Sequence, residues 1–334
     1  MRLPSLQRIL LPFAAVLALA ACHHQDAAAV SGGSTPEAAV QESVQLIKDG
    51  NFDGFWKHAL PPADYAQMRA DWTQLRPDRQ PVTAEERARF AQVMQQLSAP
   101  DAETKLYAQL QPKLAQMEKQ YKDQVPVMVG IGQAIATTGI AQAKTLSEAQ
   151  KQQARDVLAA LVPWAQKAPW FDQDKAKQAI HVAVTTARQL DLKRPDELRT
   201  LDFSAAMGKY GQVFDGLKQL LAVYGLSIDD TLDSVKATTV DMDHGRAHVH
   251  VSYTLLGKTL NTDTQMVMER GRWYDQALLQ NVRKAHQQLL QRQAAAAAAS
   301  SGAAPAASAS AAPAASAPAA PASSPMPAKA PAKH

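Results

Sequence analysis

The stretch that decides the fold is "DSVKATTVDMDHGRAHVHVSYTLLGKTLNTDTQMVMERGRWYDQ", from Asp233 to Gln276. Its apolar residues alternate with polar ones, the period of two expected of strands whose two faces have different surroundings. One face of its second strand is apolar throughout: Ala247, Val249, Val251, Tyr253 and Leu255. Turn signals divide the stretch at Asp243-His244-Gly245, Gly257-Lys258 and Arg270-Gly271. We therefore predict an antiparallel meander of three to four strands over residues 234–275. The predicted strands are about 234–242, 246–256, 259–269 and 272–275.

On both sides of this meander the apolar spacing changes to that of helices. Thr35-Pro36-Glu37 begins the first helix, because threonine caps a helix, proline fits its first position and glutamate complements its dipole. The same spacing continues to residue 226, and a terminal helix is predicted at 277–292. The sequence therefore predicts an α+β fold over residues 35–292, with a mostly helical body and the meander near its C-terminal end.

One predicted helix, Val125 to Ala143, carries no charge. Two interpretations are open for such a segment: a helix that crosses a membrane, or a helix buried in the body. Its glutamines, threonines and three glycines make it only weakly apolar. We therefore favour a buried helix whose small residues allow close packing.

The N-terminus combines a positive start, an apolar run from Ile9 to Ala21, and the chain's only cysteine, Cys22. Leu19-Ala20-Ala21-Cys22 resembles the lipobox of bacterial lipoproteins. The resemblance implies that residues 1–21 are a signal peptide, that Cys22 carries diacylglycerol, and that residues 22–34 are a lipidated linker. The next residue, His23, is not aspartate, which by the same resemblance favours the outer membrane with the body facing the periplasm. Acylation of Cys22 leaves no thiol for a disulfide or a metal.

The C-terminal residues 293–334 are nearly all alanine, proline and serine. Such a segment buries too little to offset its backbone entropy, so we predict a disordered tail. The tail is either a solubilising extension or a tether that contacts peptidoglycan or an envelope protein. The formal net charge is +4, but four of the basic residues lie in the signal peptide and the tail. The near-neutral body therefore does not favour nucleic-acid binding.

Two stretches resemble nuclear-transport-factor-two-like lipoproteins, which have a cone-shaped α+β fold. "TPEAAVQESVQLIKDGNFDGFWKHA" is similar to their Thr-Pro-Glu helix and the turn after it. "VDMDHGRAHVHVSYTLLGKT", followed by "MVMERGRWYD", is similar to their strand pair. The resemblance implies a pocket between sheet and helices, with Trp273 near its rim. The long helical middle departs from the family, which has a short connection there.

Two groups of residues are candidate sites. His248 and His250 share one strand face, so both could bind one metal ion with Asp241 as a third ligand; the alternative is an ordinary polar sheet face. Trp164 and Trp170, in "PWAQKAPWF", could line a ligand pocket with Trp273, or fill a gap between helices.

No motif marks a catalytic residue or a cofactor site. We therefore expect a non-enzymatic binding or scaffold protein without a cofactor. A periplasmic small-molecule or lipid carrier is the alternative, and an enzyme on the same fold is the lesser one.

Overall fold

The computed structural model describes residues 30–74 and 82–301. The predicted signal peptide, Cys22 and most of the tail lie outside these residues. The helices before the sheet are α1 (Pro36–Lys48), α2 (Phe52–Ala59), α3 (Pro62–Gln74), α4 (Ala84–Ser98), α5 (Ala102–Tyr121), α6 (Val125–Gln142), α7 (Glu148–Lys167), α8 (Gln173–Leu190), α9 (Glu197–Thr200), α10 (Phe203–Val223) and α11 (Ile228–Asp233). The sheet contains β1 (Lys236–Asp243), β2 (Arg246–Leu255), β3 (Lys258–Glu269) and β4 (Arg272–Asp275), and α12 (Gln276–Ser301) follows it. The predicted α+β fold with a mostly helical body is confirmed.

The sheet is an antiparallel meander in the order β1-β2-β3-β4. Each connection is a two-residue turn whose second residue is glycine, and both residues have positive φ, as type I′ turns require. The three pairs are His244-Gly245, Leu256-Gly257 and Arg270-Gly271. The predicted strand ends agree with the observed ones to within two residues, because these X-Gly pairs mark every reversal of the chain.

The apolar face of β2 forms the centre of the larger core. Ala247, Val249, Val251, Tyr253 and Leu255 are all buried. Two helices cover this face: α1 contributes Ala39 and Val40, and α7 contributes Ala160 with the half-buried Val157 and Leu161. The helical middle of the chain therefore supplies one of the two helices that cover this face.

A second core cluster joins α1, α2 and α10. Its buried residues are Val44, Ile47, Phe52, Phe55, Ala59, Phe203, Ala206, Met207 and Leu232. Helix α10 approaches the turn after α1 so closely that a Cβ at Gly211 would lie 2.2 Å from the carbonyl oxygen of Gly50. Glycine is therefore required at Gly211 for this contact.

The prediction that residues 125–143 form a buried helix is wrong about burial. The segment is helical, but α6 has no buried residue and packs on one side against α7. A Cβ at Gly130, Gly132 or Gly139 would meet no atom of another described element within 4 Å, so within the described residues these glycines make no close packing contact. Because the segment has no charge, we expected all of its sides to be buried. In the fold, only the side toward α7 is covered.

Residues 31–33, called the bridge segment below, are bonded to the sheet although residues 22–34 were predicted to be a linker. The amide of Gly33 donates to the carbonyl of Trp273 at 3.0 Å, and the amide of Trp273 donates back at 2.9 Å. The Ser31 hydroxyl donates to the carbonyl of Leu60 at 2.7 Å. The predicted linker of residues 22–34 is therefore too long, because the chain is attached to the body from residue 31 onward.

Helix α12 continues to Ser301, whereas the prediction ended it at residue 292 and began the tail at 293. The added residues include the run Ala294 to Ala299, and alanine has the highest helix propensity. The first proline of the tail is Pro305, beyond this run, so no proline interrupts it. Residues 302–334 lie outside the described part. The chain divides into two compact units, one that ends at Leu290 and one that begins at Gln291.

Candidate functional site

The outer face of α6 exposes large apolar side chains. Val127, Met128, Ile131 and Ile135 are between 54% and 69% exposed. Their spacing of three and four residues places them along one side of the helix. The half-buried residues Val125, Val129, Ala136 and Ile140 have the same spacing on the side toward α7. We call the exposed stripe formed by Val127, Met128, Ile131 and Ile135 the apolar face of α6.

The ends of α6 are polar, although the helix itself is uncharged. A single turn of 3-10 helix, Lys122–Gln124, joins α5 to α6. Residues 102–142 form a helical run long and apolar enough to cross a membrane by length and composition. Lys144 follows α6, and the Ser147 hydroxyl caps α7 by accepting from the amide of Gln150. The chain therefore turns back within five residues, and α6 and α7 form a helical hairpin.

The predicted metal ligands lie on the solvent face of the sheet, where His250 bonds to Asp263 and His248 lies near two carboxylates. His250 Nδ1 lies 2.8 Å from Asp263 Oδ1, and His248 Nε2 lies 3.6 Å from the same oxygen. Asp241 lies 3.6 Å from the other nitrogen of His248. In residues 30–74 and 82–301, no group of three or more His, Cys, Asp or Glu is arranged to hold a metal ion. The geometry therefore favours the polar sheet face over a metal site at His248, His250 and Asp241.

The predicted tryptophan pair is a packing contact at the end of α7. The rings of Trp164 and Trp170 are 5.3 Å apart at 74°, and the ring of Trp170 lies 5.1 Å from that of Tyr224. Trp164 Nε1 donates to the carbonyl of Tyr224 at 2.8 Å, and Trp170 Nε1 donates to that of Ala165 at 2.7 Å. Both indole donors are thus used within the protein. This favours the gap-filling interpretation over a ligand pocket.

The face of the sheet where a cone pocket is expected is filled by the protein's own side chains. Trp273 is 3% exposed and belongs to the larger core, rather than lying at an open rim. The Tyr253 hydroxyl is buried beneath α7 without a partner at hydrogen-bonding distance and angle. Burial raises the pKa of Tyr253. The neighbouring Gln153 lowers this pKa, but by less than burial raises it. Helix α7 therefore occupies the space that a ligand of the cone would need.

A polar groove of about 170 Å³ lies between α3 and α12. The Asp71 carboxylate, 8% exposed, lies 2.9 Å from His286 Nδ1 and also accepts from the side-chain amide of Gln67. A His–Asp pair can move a proton, but the described residues that line the groove include no serine, threonine or cysteine that could serve as a nucleophile. The pair joins two helices 215 residues apart in the chain, and no local pattern indicates it.

Beside this groove, Arg283 bonds two carboxylates at once. Its guanidinium donates to both oxygens of Asp64 at 2.9 and 2.8 Å, and to both oxygens of Glu269 at 2.8 Å. Hydrogen bonds with Asp64 and Glu269 raise the pKa of Arg283. The arginine thus ties α12 to α3 and to the end of β3.

Comparison of the chain with protein-family models, curated proteins and solved structures gives no match. Among the described surfaces, the apolar face of α6 is the candidate for an interaction, because it exposes four large apolar side chains within nine residues.

Proposed function

We propose that this chain is a lipoprotein of the cell envelope, anchored through Cys22 in the outer membrane with its body facing the periplasm. It acts there as a non-catalytic binding or scaffold protein. The observation that carries the proposal is the sequence Leu19-Ala20-Ala21-Cys22 at the end of an apolar run. Two or more acyl chains at this cysteine give durable anchoring, which a single chain does not.

The bridge segment supports this arrangement from the body's side. Cys22 precedes Val30, the first described residue, by only eight positions. The hydrogen bonds of Ser31 and Gly33 then attach the chain to the fold. A body joined to its anchor in this way remains close to the membrane, where it can hold a partner.

Metabolic labelling with a clickable fatty acid tests the anchor in bacterial cells. The wild-type chain is expected to take up label and to sediment with membranes, whereas Cys22→Ala takes up none. His23→Asp keeps the cysteine and serves as the matched control for sorting, since it is expected to move the labelled chain to the inner membrane. A wild-type chain without label, or a labelled Cys22→Ala variant, contradicts the proposal.

The packed face of the sheet favours a scaffold over a carrier, because Tyr253 and Trp273 are buried where a ligand of the cone would lie. Native mass spectrometry of the full lipidated chain tests this distinction. The expected mass is that of the chain and its acyl groups. A further small molecule lost on denaturation contradicts the scaffold proposal and supports the carrier.

Crosslinking in whole cells tests the scaffold role itself. The expected result is one specific neighbour, either an envelope protein or peptidoglycan. Deletion of residues 303–334 shows whether the tail makes that contact. If the tail makes it, the crosslink is lost, whereas membrane attachment through Cys22 is kept. Failure to capture any specific neighbour with either chain contradicts a scaffold role.

A further inference from the structure

We infer that the apolar face of α6 lies on the lipid bilayer, at the boundary between headgroups and acyl chains, and so sets the orientation of the body on the membrane. The inference rests on the proposed function, because the lipid at Cys22 is what brings the body to the bilayer. It adds a second membrane contact, about a hundred residues further along the chain.

The first argument is chemical. Residues 124–143 contain no charge, and the four side chains of the apolar face are aliphatic or methionine, although Gln133, Thr137, Thr138 and Gln142 are also exposed on α6. Protein interfaces draw most of their binding energy from tryptophan, tyrosine and arginine, and this segment has none of them. A surface of this composition has little to direct a specific protein contact, whereas an acyl-chain environment requires only apolarity.

The second argument is the size of the face. The apolar face runs from Val127 to Ile135, about 14 Å of helix, and one side of a helix is about 10 Å wide. The resulting area of about 140 Å² is well below the roughly 800 Å² that each partner of a stable protein complex buries. A second copy of the chain seated on this face alone would therefore be held weakly. A bilayer needs no such minimum, because the acyl chains on Cys22 already supply attachment.

The third argument is charge at the ends of the helix. Lys119 and Lys122 precede α6, and Lys144 follows it. Lys122 is 69% exposed, although it pairs with Glu118 and is followed by Asp123. Lysines at both ends of an apolar segment place their ammonium groups at the level of anionic lipid phosphates while the segment between them enters the acyl region.

The hairpin lies on the bilayer and does not cross it. If α6 crossed, α7 would have to return through the acyl region with Glu148, Lys151, Arg155 and Asp156, which is costly for charged side chains. Helix α7 also packs on β3 through Leu161 and its neighbours, so it belongs to the body. The hairpin therefore presents one apolar side, from α6, and one charged side, from α7, as helices at a membrane surface do.

The anchor limits how far the start of the body can lie from the membrane. Eight residue steps separate Cys22 from Val30, and a chain of that length reaches at most about 29 Å. Val30 therefore stays within that distance of the membrane, and the bridge segment stays within about 40 Å of it. The lipid supplies attachment, and the apolar face of α6 selects which side of the body meets the bilayer.

Site-specific fluorescence on the full lipidated chain tests the inference. Because Cys22 is the only cysteine and is acylated, a cysteine introduced elsewhere is the one free thiol. Ile135→Cys is the test variant, and Leu217→Cys, an exposed apolar position of α10, is the matched control. Each is labelled with an environment-sensitive dye and reconstituted into vesicles of phosphatidylethanolamine and phosphatidylglycerol.

A dye at position 135 is expected to shift its emission to the blue and to lose about half its intensity to lipid-borne nitroxides at the headgroup boundary. The dye at position 217 is expected to change in neither way. If the chain stays on the vesicles but both dyes remain in water, the inference is overturned and the anchor stands. If the shift depends on protein concentration and not on nitroxide, a second copy covers the face, and the inference is also overturned.

The unsubstituted chain separates failure of the inference from failure of the proposed function. It is expected to take up no dye, since an acylated Cys22 has no free thiol. Dye on this chain, together with loss of vesicle binding, contradicts the lipid anchor itself.

Discussion

Replacing Gly33 with alanine is expected to detach the bridge segment from the sheet. An added Cβ at this position would lie 2.2 Å from the amide nitrogen of Ala39 and 2.5 Å from its Cα. These atoms belong to the first turn of α1, so they cannot move aside as a flexible side chain would. The segment must instead shift by about 1.2 Å to reach an ordinary contact distance.

Such a shift breaks the contacts that hold the segment. The two backbone bonds between Gly33 and Trp273, at 3.0 and 2.9 Å, would lengthen to about 4 Å. Each contributes a net stabilisation of about 1 kcal/mol, and the bonds of the neighbouring Ser31 are disturbed as well. We expect the free energy of unfolding to fall by about 2–4 kcal/mol.

Chemical denaturation combined with hydrogen exchange measures this effect. The amides of Gly33 and Trp273 are expected to lose protection in the Gly33→Ala variant. Gly208→Ala is the matched control: no atom lies within 4 Å of a Cβ there, and the position is inside α10. Its stability should rise by up to about 1 kcal/mol, from helix propensity. A Gly33→Ala variant with unchanged stability and full protection of Trp273 would refute the reasoning.

Three further substitutions have expected outcomes that denaturation experiments can check. Tyr253→Phe should leave the free energy of unfolding unchanged or raise it by up to about 1 kcal/mol, since it removes a buried hydroxyl with no described partner in hydrogen-bonding geometry. A loss of more than about 1 kcal/mol would mean that the hydroxyl is bonded to the neighbouring Gln153. Burial tends to raise the pKa of Glu37, but hydrogen bonds, first that of Thr239, outweigh it and lower the pKa. The stabilisation that Glu37 gives the wild-type fold is therefore present above the ordinary pKa of glutamate and is lost as pH falls through the lowered pKa. In the Glu37→Gln variant, the free energy of unfolding should therefore fall less steeply with pH below about pH 5. Arg283→Met should cost about 2 kcal/mol at low salt and less in 1 M salt, because it leaves two carboxylates unpaired; equal losses at both salt concentrations would contradict an electrostatic origin.

The sheet was predictable from the sequence because its information is local. Alternation assigns each residue of β2 to a face, and each X-Gly pair marks a turn. The pairing of His250 with Asp263 was not predicted, although it follows from the turn: with Leu256-Gly257 at its centre, the antiparallel register places these two residues opposite each other. The relevant signal was therefore present in the sequence.

The errors have a different physical origin. Composition showed that α6 is apolar, but whether its second side is covered depends on which other elements reach it. The bridge segment is rich in glycine and serine, which is typical of linkers, and its partner Trp273 lies 240 residues away in the chain. The contact of Asp71 with His286 is equally remote. Such contacts arise from the assembled fold and leave no periodic signal.

The bridge segment also determines where mechanical tension enters the body. If the chain is held at Cys22, a pull on the body first loads the bonds of Ser31 with Leu60 and of Gly32 with His58. It then loads the bonds of Gly33 with the edge of the sheet before it reaches α1. Gly33 and Trp273 run antiparallel, so a pull along the chain loads their two hydrogen bonds together instead of opening them one after the other. The end of α2 and the edge of the sheet therefore bear the load before α1 does.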